Sequence, residues 1–180
     1  KSFKEFKENG GSTYKQNFLH CAVESENIDA AKFLLENGLG ENDKNEIGFT
    51  PLYLSLKLKN EKMAELLISN GAKIFDKYND MKPEIWRLAS DNGFTNILLN
   101  IIKNEFELNS PTGHEMLKDF VGKGYHELVE QFFKDQNFIY SEYFHFQLLS
   151  IAKNSKDEKM IIILIGKNSN DSALENINPR

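Results

Sequence analysis

The fold is decided by Gly48-Phe49-Thr50-Pro51-Leu52-Tyr53 and by Leu66-Leu67-Ile68-Ser69-Asn70-Gly71-Ala72. Thr50-Pro51 predicts a helix start, because a threonine hydroxyl caps the first turn and proline at the first helical position loses no hydrogen bond. Asn70-Gly71 predicts a helix end, because glycine adopts the left-handed conformation without a Cβ penalty. The two apolar segments between these signals are too short to form stable helices alone in water. The unit must therefore pack its apolar side against a neighbour.

The neighbouring unit is found when the sequence is shifted against itself. Leu19 then corresponds to Leu52, and Asn37-Gly38 corresponds to Asn70-Gly71 at the same interval. This period, about 33 residues, is the length of one ankyrin unit. The sequence resembles the ankyrin repeat family, whose usual pattern is G-x-T-P-L-H-x-A-A-x-x-G-H-x-x-I-V-x-x-L-L-x-x-G-A. Besides the stretch quoted above, the resemblance is carried by Phe18-Leu19-His20-Cys21-Ala22 and Phe33-Leu34-Leu35-Glu36-Asn37-Gly38.

This resemblance implies an all-α ankyrin-repeat solenoid of stacked helix-turn-helix units with short β-hairpin-like connections. We expect a repeat domain over residues 1–166, followed by a frayed tail from Lys167 onward. The predicted divisions are a partial repeat at 1–16, units at about 17–49, 50–82, 83–111, 112–140 and 141–166, and the tail at 167–180. The last two units are divergent. After Asn104 two interpretations stay open: divergent repeats that end in a cap, or a separate helical domain.

Local signals place some of the helix starts in these units. Asn17 stands where Thr50 stands in the next unit, and asparagine caps a helix as well as threonine does. Thr112 followed by Glu115 forms a capping-box pair, which predicts the start of the fourth unit. In the third unit, one extra residue precedes the first helix, and Trp86 is expected at a helix junction in the core.

Composition indicates a soluble intracellular protein. The chain has 180 residues, a net charge of −5, one cysteine and a mean hydropathy of −0.50. The longest purely apolar run, Met160 to Ile165, is far shorter than the ~20 residues of a spanning helix. One cysteine excludes an internal disulfide and fits a reducing compartment. We therefore expect a cytoplasmic protein without membrane insertion or nucleic-acid binding. Because residue 1 is lysine and not methionine, we also expect an excised fragment of a larger protein or a processed chain.

The sequence contains motifs that only partly match those of enzymes. His114-Glu115 and His126-Glu127 each begin a zinc-protease pattern, but no second histidine follows four residues after the first. Cys21 lies beside His20, yet adjacent side chains of a helix do not face each other, so we expect Cys21 to be a small packing residue. We predict that the chain is not an enzyme and has no metal site, no cofactor and no small-molecule substrate.

The family resemblance implies that the chain binds another protein. In ankyrin repeats, partners dock on the hairpin tips and on the exposed side of the first helices. Carried over by position, the predicted partner-binding residues are Glu24, Ser25, Glu46, Ile47, Phe49, Lys57, Leu58, Asn79, Asp80, Lys82, Ser90 and Asp91. Ile47, Phe49 and Leu58 are the apolar members of this set, and exposed apolar side chains that lie together mark contact surfaces.

Some alternatives stay open on the sequence alone. The ring of Phe49 could contact a partner or could pack across the neighbouring hairpin. The chain could also be a regulatory or substrate-recruiting part of a larger enzyme, or a host-directed effector of an intracellular microbe, in which case it would act in the host cytoplasm.

Overall fold

The central helix pair begins and ends at the signals identified in the sequence. The computed structural model describes residues 12–74, 82–104, 108–134 and 138–175. Thr50 Oγ1 accepts a hydrogen bond from the backbone N–H of Tyr53 at 3.2 Å, and Pro51 is the first helical residue. At the other end of the pair, Gly71 adopts a left-handed conformation with φ of 95°. The predicted start at Thr50-Pro51 and the predicted end at Asn70-Gly71 are therefore confirmed.

All the regular secondary structure in the described residues is α-helical, which confirms the all-α helical repeat fold. Consecutive helices pack in pairs, α1 with α2, α3 with α4, α7 with α8, and α9 with α10. The helices of the described residues are α1 Ser12–Glu24, α2 Ile28–Glu36, α3 Pro51–Lys57, α4 Glu61–Ser69, α5 Lys82–Asp91, α6 Thr95–Asn104, α7 Pro111–Gly122, α8 His126–Lys134, α9 Glu142–Asn154 and α10 Glu158–Glu175.

A single left-handed residue lies in each of the turns that join α1 to α2, α3 to α4, α5 to α6, α7 to α8 and α9 to α10. These residues recur at intervals of 33, 34, 31 and 32 positions, and they are Glu26, Lys59, Gly93, Gly124 and Lys156. A left-handed residue reverses the chain tightly after a helix. Pairs of helices therefore continue at about the same spacing after Asn104, where the sequence loses the family pattern.

The chain divides into two compact units, Lys1–Asn92 and Gly93–Arg180. In the first unit, α3 packs against both α1 and α5, and α2 packs against α4. In the second unit, α7 packs against α9, and α8 packs against both α6 and α10. Within each unit, helices in equivalent positions of successive pairs therefore stack on one another. The residue boundaries predicted for the repeat domain stay a prediction.

The core lies between the helices of each stack. On α1, Leu19, Ala22 and Val23 are buried, and they point away from the exposed Cys21. Trp86 on α5 is only 2% exposed, so its predicted place in the core is confirmed. In the second unit the largest fully buried side chains include those of Phe120 and Phe132, whose rings meet edge to face.

The first helix begins earlier than predicted. Helix α1 starts at Ser12, so the backbone of Asn17 is helical, and the prediction that Asn17 caps this helix is wrong. No glycine or proline occurs between Ser12 and Asn17 to interrupt helical hydrogen bonding. Residues 1–11 of the predicted partial repeat lie outside the described residues.

The start of α7 is determined by Ser110-Pro111. Ser110 Oγ accepts a hydrogen bond from the backbone N–H of Gly113 at 3.1 Å, and Pro111 is the first helical residue. Thr112 is therefore inside the helix, and its predicted capping role is wrong. The earlier signal prevails because proline holds the residue before it in an extended conformation, which suits an N-cap.

The last helix also extends further than predicted. Helix α10 continues through Glu175, so the prediction that helical structure is lost from Lys167 onward is wrong for residues 167–175. A glycine within a helix, such as Gly166, costs only about 0.5–1 kcal/mol, and the next proline is Pro179. Residues 176–180 of the predicted tail lie outside the described residues.

Candidate functional site

The hairpin tip at residues 45–49 is held by its own hydrogen bonds. The N–H of Asn45 donates to the carbonyl oxygen of Phe49, and the N–H of Gly48 donates to that of Asn45, both at 2.9 Å. Asn45 Oδ1 accepts hydrogen bonds from the N–H groups of Ile47 at 3.2 Å and Phe49 at 2.9 Å. Gly48 supplies the left-handed conformation, with φ of 84°. As a result, the tip presents Glu46 and Ile47 to solvent, with the side chain of Ile47 68% exposed.

Phe49 is half-buried and packs on its own helix pair. Its ring centroid lies 4.4 Å from that of Tyr53, and Lys57 Nζ lies 5.0 Å above the ring. A cation over an aromatic face is attracted by the ring quadrupole. The ring therefore supports the tip from below and keeps the Lys57 side chain beside it.

The carbonyl group of Phe49 is also held from the preceding helix pair. His20 Nε2 lies 2.8 Å from the carbonyl oxygen of Phe49, and because a carbonyl oxygen only accepts, the imidazole N–H donates. His20 is 3% exposed on α1. The sequence prediction did not give His20 a role, although the family pattern has a histidine at this position. Its hydrogen bond couples the hairpin tip to α1.

The predicted helix residues of the first two pairs lie at the ends of their helices. Lys57 is the last residue of α3, and Leu58 caps it with its side chain 41% exposed. Glu24 ends α1 in the same way, and Ser25 follows it; both are exposed. Ser25 Oγ donates to the carbonyl oxygen of Cys21 at 2.8 Å.

One residue predicted on α5 is wrongly placed. Ser90 is completely buried, so it cannot contact a partner directly. The error comes from the repeat interval, which is one position longer from Lys59 to Gly93 than from Glu26 to Lys59. The buried Leu56 is therefore the equivalent of Ser90. Asp91 is exposed at the end of α5.

The second predicted hairpin tip is not part of the described structure. Asn79 and Asp80 lie outside the described residues. Lys82 is the first residue of α5, but its side chain also lies outside the description. These three partner-binding assignments stay predictions.

The described residues also carry few groups suited to catalysis or metal binding. Within these residues no three side chains of histidine, cysteine, aspartate or glutamate lie close enough together to hold a metal ion. Cys21 is exposed, so its predicted packing role is wrong; Ala22 and Val23, which follow it, occupy the core side of α1. Over the described ranges, the helices are too short or too polar to cross a bilayer.

His126 and Asp157 form a close polar pair in the second unit. His126 Nε2 lies 2.9 Å from both carboxylate oxygens of Asp157. Asp157 Oδ1 also accepts the backbone N–H of Met160 at 2.9 Å, in the first turn of α10. Two hydrogen bonds hold the pKa of Asp157 below its ordinary value of 3.8. The bond from the Met160 N–H has the larger effect, and the bond with the His126 side chain has the next largest. The pair joins the start of α8 to the start of α10 and so has a structural role.

Stacked helix pairs that recur at a spacing of about 33 residues define a helical repeat protein. Residues 2–78 match the family model described as "Ankyrin repeats (3 copies)", so this segment of the chain consists of ankyrin repeats. Ankyrin repeats are generally modules of protein–protein interaction that do not catalyse reactions.

Two curated proteins are similar to this chain. An ankyrin repeat domain-containing protein of Aspergillus oryzae is 26% identical over 124 residues, which cover 69% of this chain and 19% of that protein. A putative ankyrin repeat protein of fowlpox virus is 38% identical over 50 residues, which cover 28% of this chain and 36% of that protein. The matched part of the chain therefore spans about a fifth and about a third of the lengths of these relatives.

Proposed function

We propose that this chain binds a partner protein through its first hairpin tip and the adjoining helix ends, and that it catalyses no reaction itself. The observation that carries this proposal is the exposure of the Ile47 side chain, 68%, on a tip that is held by backbone and Asn45 hydrogen bonds. A preformed loop loses little conformational entropy on binding, so an apolar side chain at its tip contributes efficiently to affinity. We place this activity in the cytoplasm, in keeping with the single cysteine.

The proposed binding surface is called the tip face here. It combines exposed apolar residues with charged ones, which is the composition of many protein interfaces. Ile47 and Leu58 are its exposed apolar residues, and the half-buried Phe49 lies next to Lys57. The tip face consists of Glu24, Ser25, Glu46, Ile47, Phe49, Lys57, Leu58 and Asp91.

Affinity capture with matched variants tests this proposal. The wild-type chain, the double variant Ile47→Ala/Leu58→Ala and the control Ile139→Ala are immobilised and exposed to the same cell extract. Ile139 is 77% exposed in the other compact unit, so the control removes a comparable apolar side chain elsewhere. We expect partners that bind the wild type and the control to be lost from the double variant. Equal capture of every partner by all three proteins would show that the tip face is the wrong surface.

A further inference from the structure

The last helix pair exposes a side that the preceding pair buries. On α7, Leu117 and Val121 are fully buried, and α9 packs against this helix. The interval between the left-handed residues Gly124 and Lys156 is 32 positions, so the equivalents on α9 are Leu149 and Lys153. Leu149 is half-buried and Lys153 is exposed. The side of α9 that matches the covered side of α7 therefore faces solvent.

Apolar side chains are exposed on both helices of the pair. Phe146 on α9 is 68% exposed, and on α10 Ile162 and Ile165 are 70% and 55% exposed. The equivalent of Phe146 on α7 is His114, whose ring lies 4.6 Å from that of Phe144 in the next pair. Exposed apolar side chains that lie together indicate that another protein surface covers them.

The charges along α9 indicate which kind of protein surface is complementary to this side of the helix pair. Glu142, Phe146, Leu149 and Lys153 follow one another at intervals of four, three and four residues, so they form one stripe along the helix. The stripe has a glutamate at one end, two apolar residues in the middle and a lysine at the other end. At a rise of 1.5 Å per residue, the glutamate and the lysine are about 16 Å apart along the helix. When two such stripes pack antiparallel, each Glu142 lies opposite a Lys153, and each Phe146 lies opposite a Leu149. The stripe is therefore complementary to itself.

We propose that a second copy of this chain covers this side, with α9 packed antiparallel on α9 of the other copy about a two-fold axis. We call the surface the end face; it consists of Glu142, Phe146, Leu149, Lys153, Ile162 and Ile165. A two-fold interface uses the same patch on both partners, which is what a self-complementary stripe provides. The six residues of the end face are fewer than the roughly 20–30 residues that each side of a standard interface contributes. The dimer is therefore weak and reversible, with a Kd of about 1–100 μM.

Sedimentation equilibrium of the chain at several concentrations tests the association. Phe146→Glu places two carboxylates in the centre of the interface, and we expect it to raise the dimer Kd at least about a hundredfold. Ile47→Glu is the control, because it adds the same charge to an exposed apolar position on the tip face. Far-UV circular dichroism checks that each variant is folded. Wild-type chain that stays monomeric at about 500 μM, as expected if a different protein covers the end face, would overturn the proposal.

Charge reversal tests the antiparallel orientation. Glu142→Lys alone and Lys153→Glu alone each replace two opposite-charge pairs with two like-charge pairs, and we expect dimerisation about tenfold weaker in each. The double variant Glu142→Lys/Lys153→Glu restores both pairs and should regain the wild-type Kd. An equimolar mixture of the two single variants should form mixed dimers in preference to either homodimer. A double variant no stronger than the single ones would refute the antiparallel arrangement.

Discussion

We predict that replacing Gly113 on α7 with alanine destabilises the protein, which is the opposite of the general rule for glycine within a helix. Alanine within a helix is usually more stable than glycine by about 0.5–1 kcal/mol. A Cβ atom at Gly113, however, would overlap the carbonyl oxygen of Leu108 and lie 2.8 Å from its carbonyl carbon and 3.0 Å from its Cα. All three neighbours are backbone atoms, so the overlap cannot be relieved by a side-chain rotation. The start of α7 or the segment containing Leu108 has to move.

The magnitude follows from these opposing contributions. Overpacking in a buried site costs about 1–3 kcal/mol, and a clash with backbone belongs at the upper end of that range. After subtraction of the helix gain, we expect Gly113→Ala to lower the free energy of unfolding by about 2 kcal/mol. Gly122→Ala is the matched control in the same helix, because its Cβ would make an ordinary contact of 3.6 Å with Ile151 Cγ2. That variant should be as stable as the wild type or slightly more stable.

Urea denaturation followed by circular dichroism at 222 nm measures the difference, since the midpoint shifts with stability while the slope reports the surface exposed. The prediction concerns the order of the three proteins: Gly113→Ala below the wild type, and Gly122→Ala equal to it or above it. If Gly113→Ala unfolds at the same urea concentration as Gly122→Ala, the close packing of α7 against Leu108 does not constrain the helix, and the reasoning is refuted.

Two further predictions concern the polar groups that hold the helix starts. Thr50→Ala removes the N-cap of α3 and should lower the free energy of unfolding, measured by urea denaturation, by about 1 kcal/mol. Thr50→Ser keeps the hydroxyl group and should lower it only slightly. Equal losses in the two variants would show that the cap hydrogen bond contributes nothing to stability. The pKa of Asp157 is lowered in the folded state, so the stabilisation by its carboxylate is present above its ordinary value of 3.8 and is lost as the pH falls through the folded value. Asp157→Asn should therefore be less stable than the wild type at pH 7, and the difference should shrink in titrations below pH 3.8; a constant difference would contradict the assignment.

The predicted helix starts were accurate where no second capping signal lay within a few residues of the first. Thr50-Pro51 has no competitor nearby, and the structure confirms it. Thr112 with Glu115 satisfied a capping pattern, but Ser110-Pro111 lies two residues earlier and begins the helix. A capping motif shows that a helix can begin at a residue. It does not exclude an earlier start.

The prediction of site residues depended on the exact interval between repeats as well as on the residue pattern within each repeat. Glu24 and Lys57 were carried over at the interval that separates Glu26 from Lys59, and both are exposed at helix ends. Ser90 was carried over at the same interval, although the next interval is one position longer, and it is buried. One residue of shift rotates a position by about 100° around a helix, which is enough to move it from the surface to the core.

The sequence by itself determined the helical repeat, because start signals, stop signals and a period of about 33 residues are local properties of the chain. Only the tertiary structure decided which side chains stay at the surface. Ile47 is exposed because the tip is closed by its own hydrogen bonds, whereas Phe49, two residues later, rests on Tyr53. Likewise, the apolar character of Phe146 is plain in the sequence, but its exposure is not. Exposure depends on which helix packs on which, and that is a relation between residues far apart in the chain.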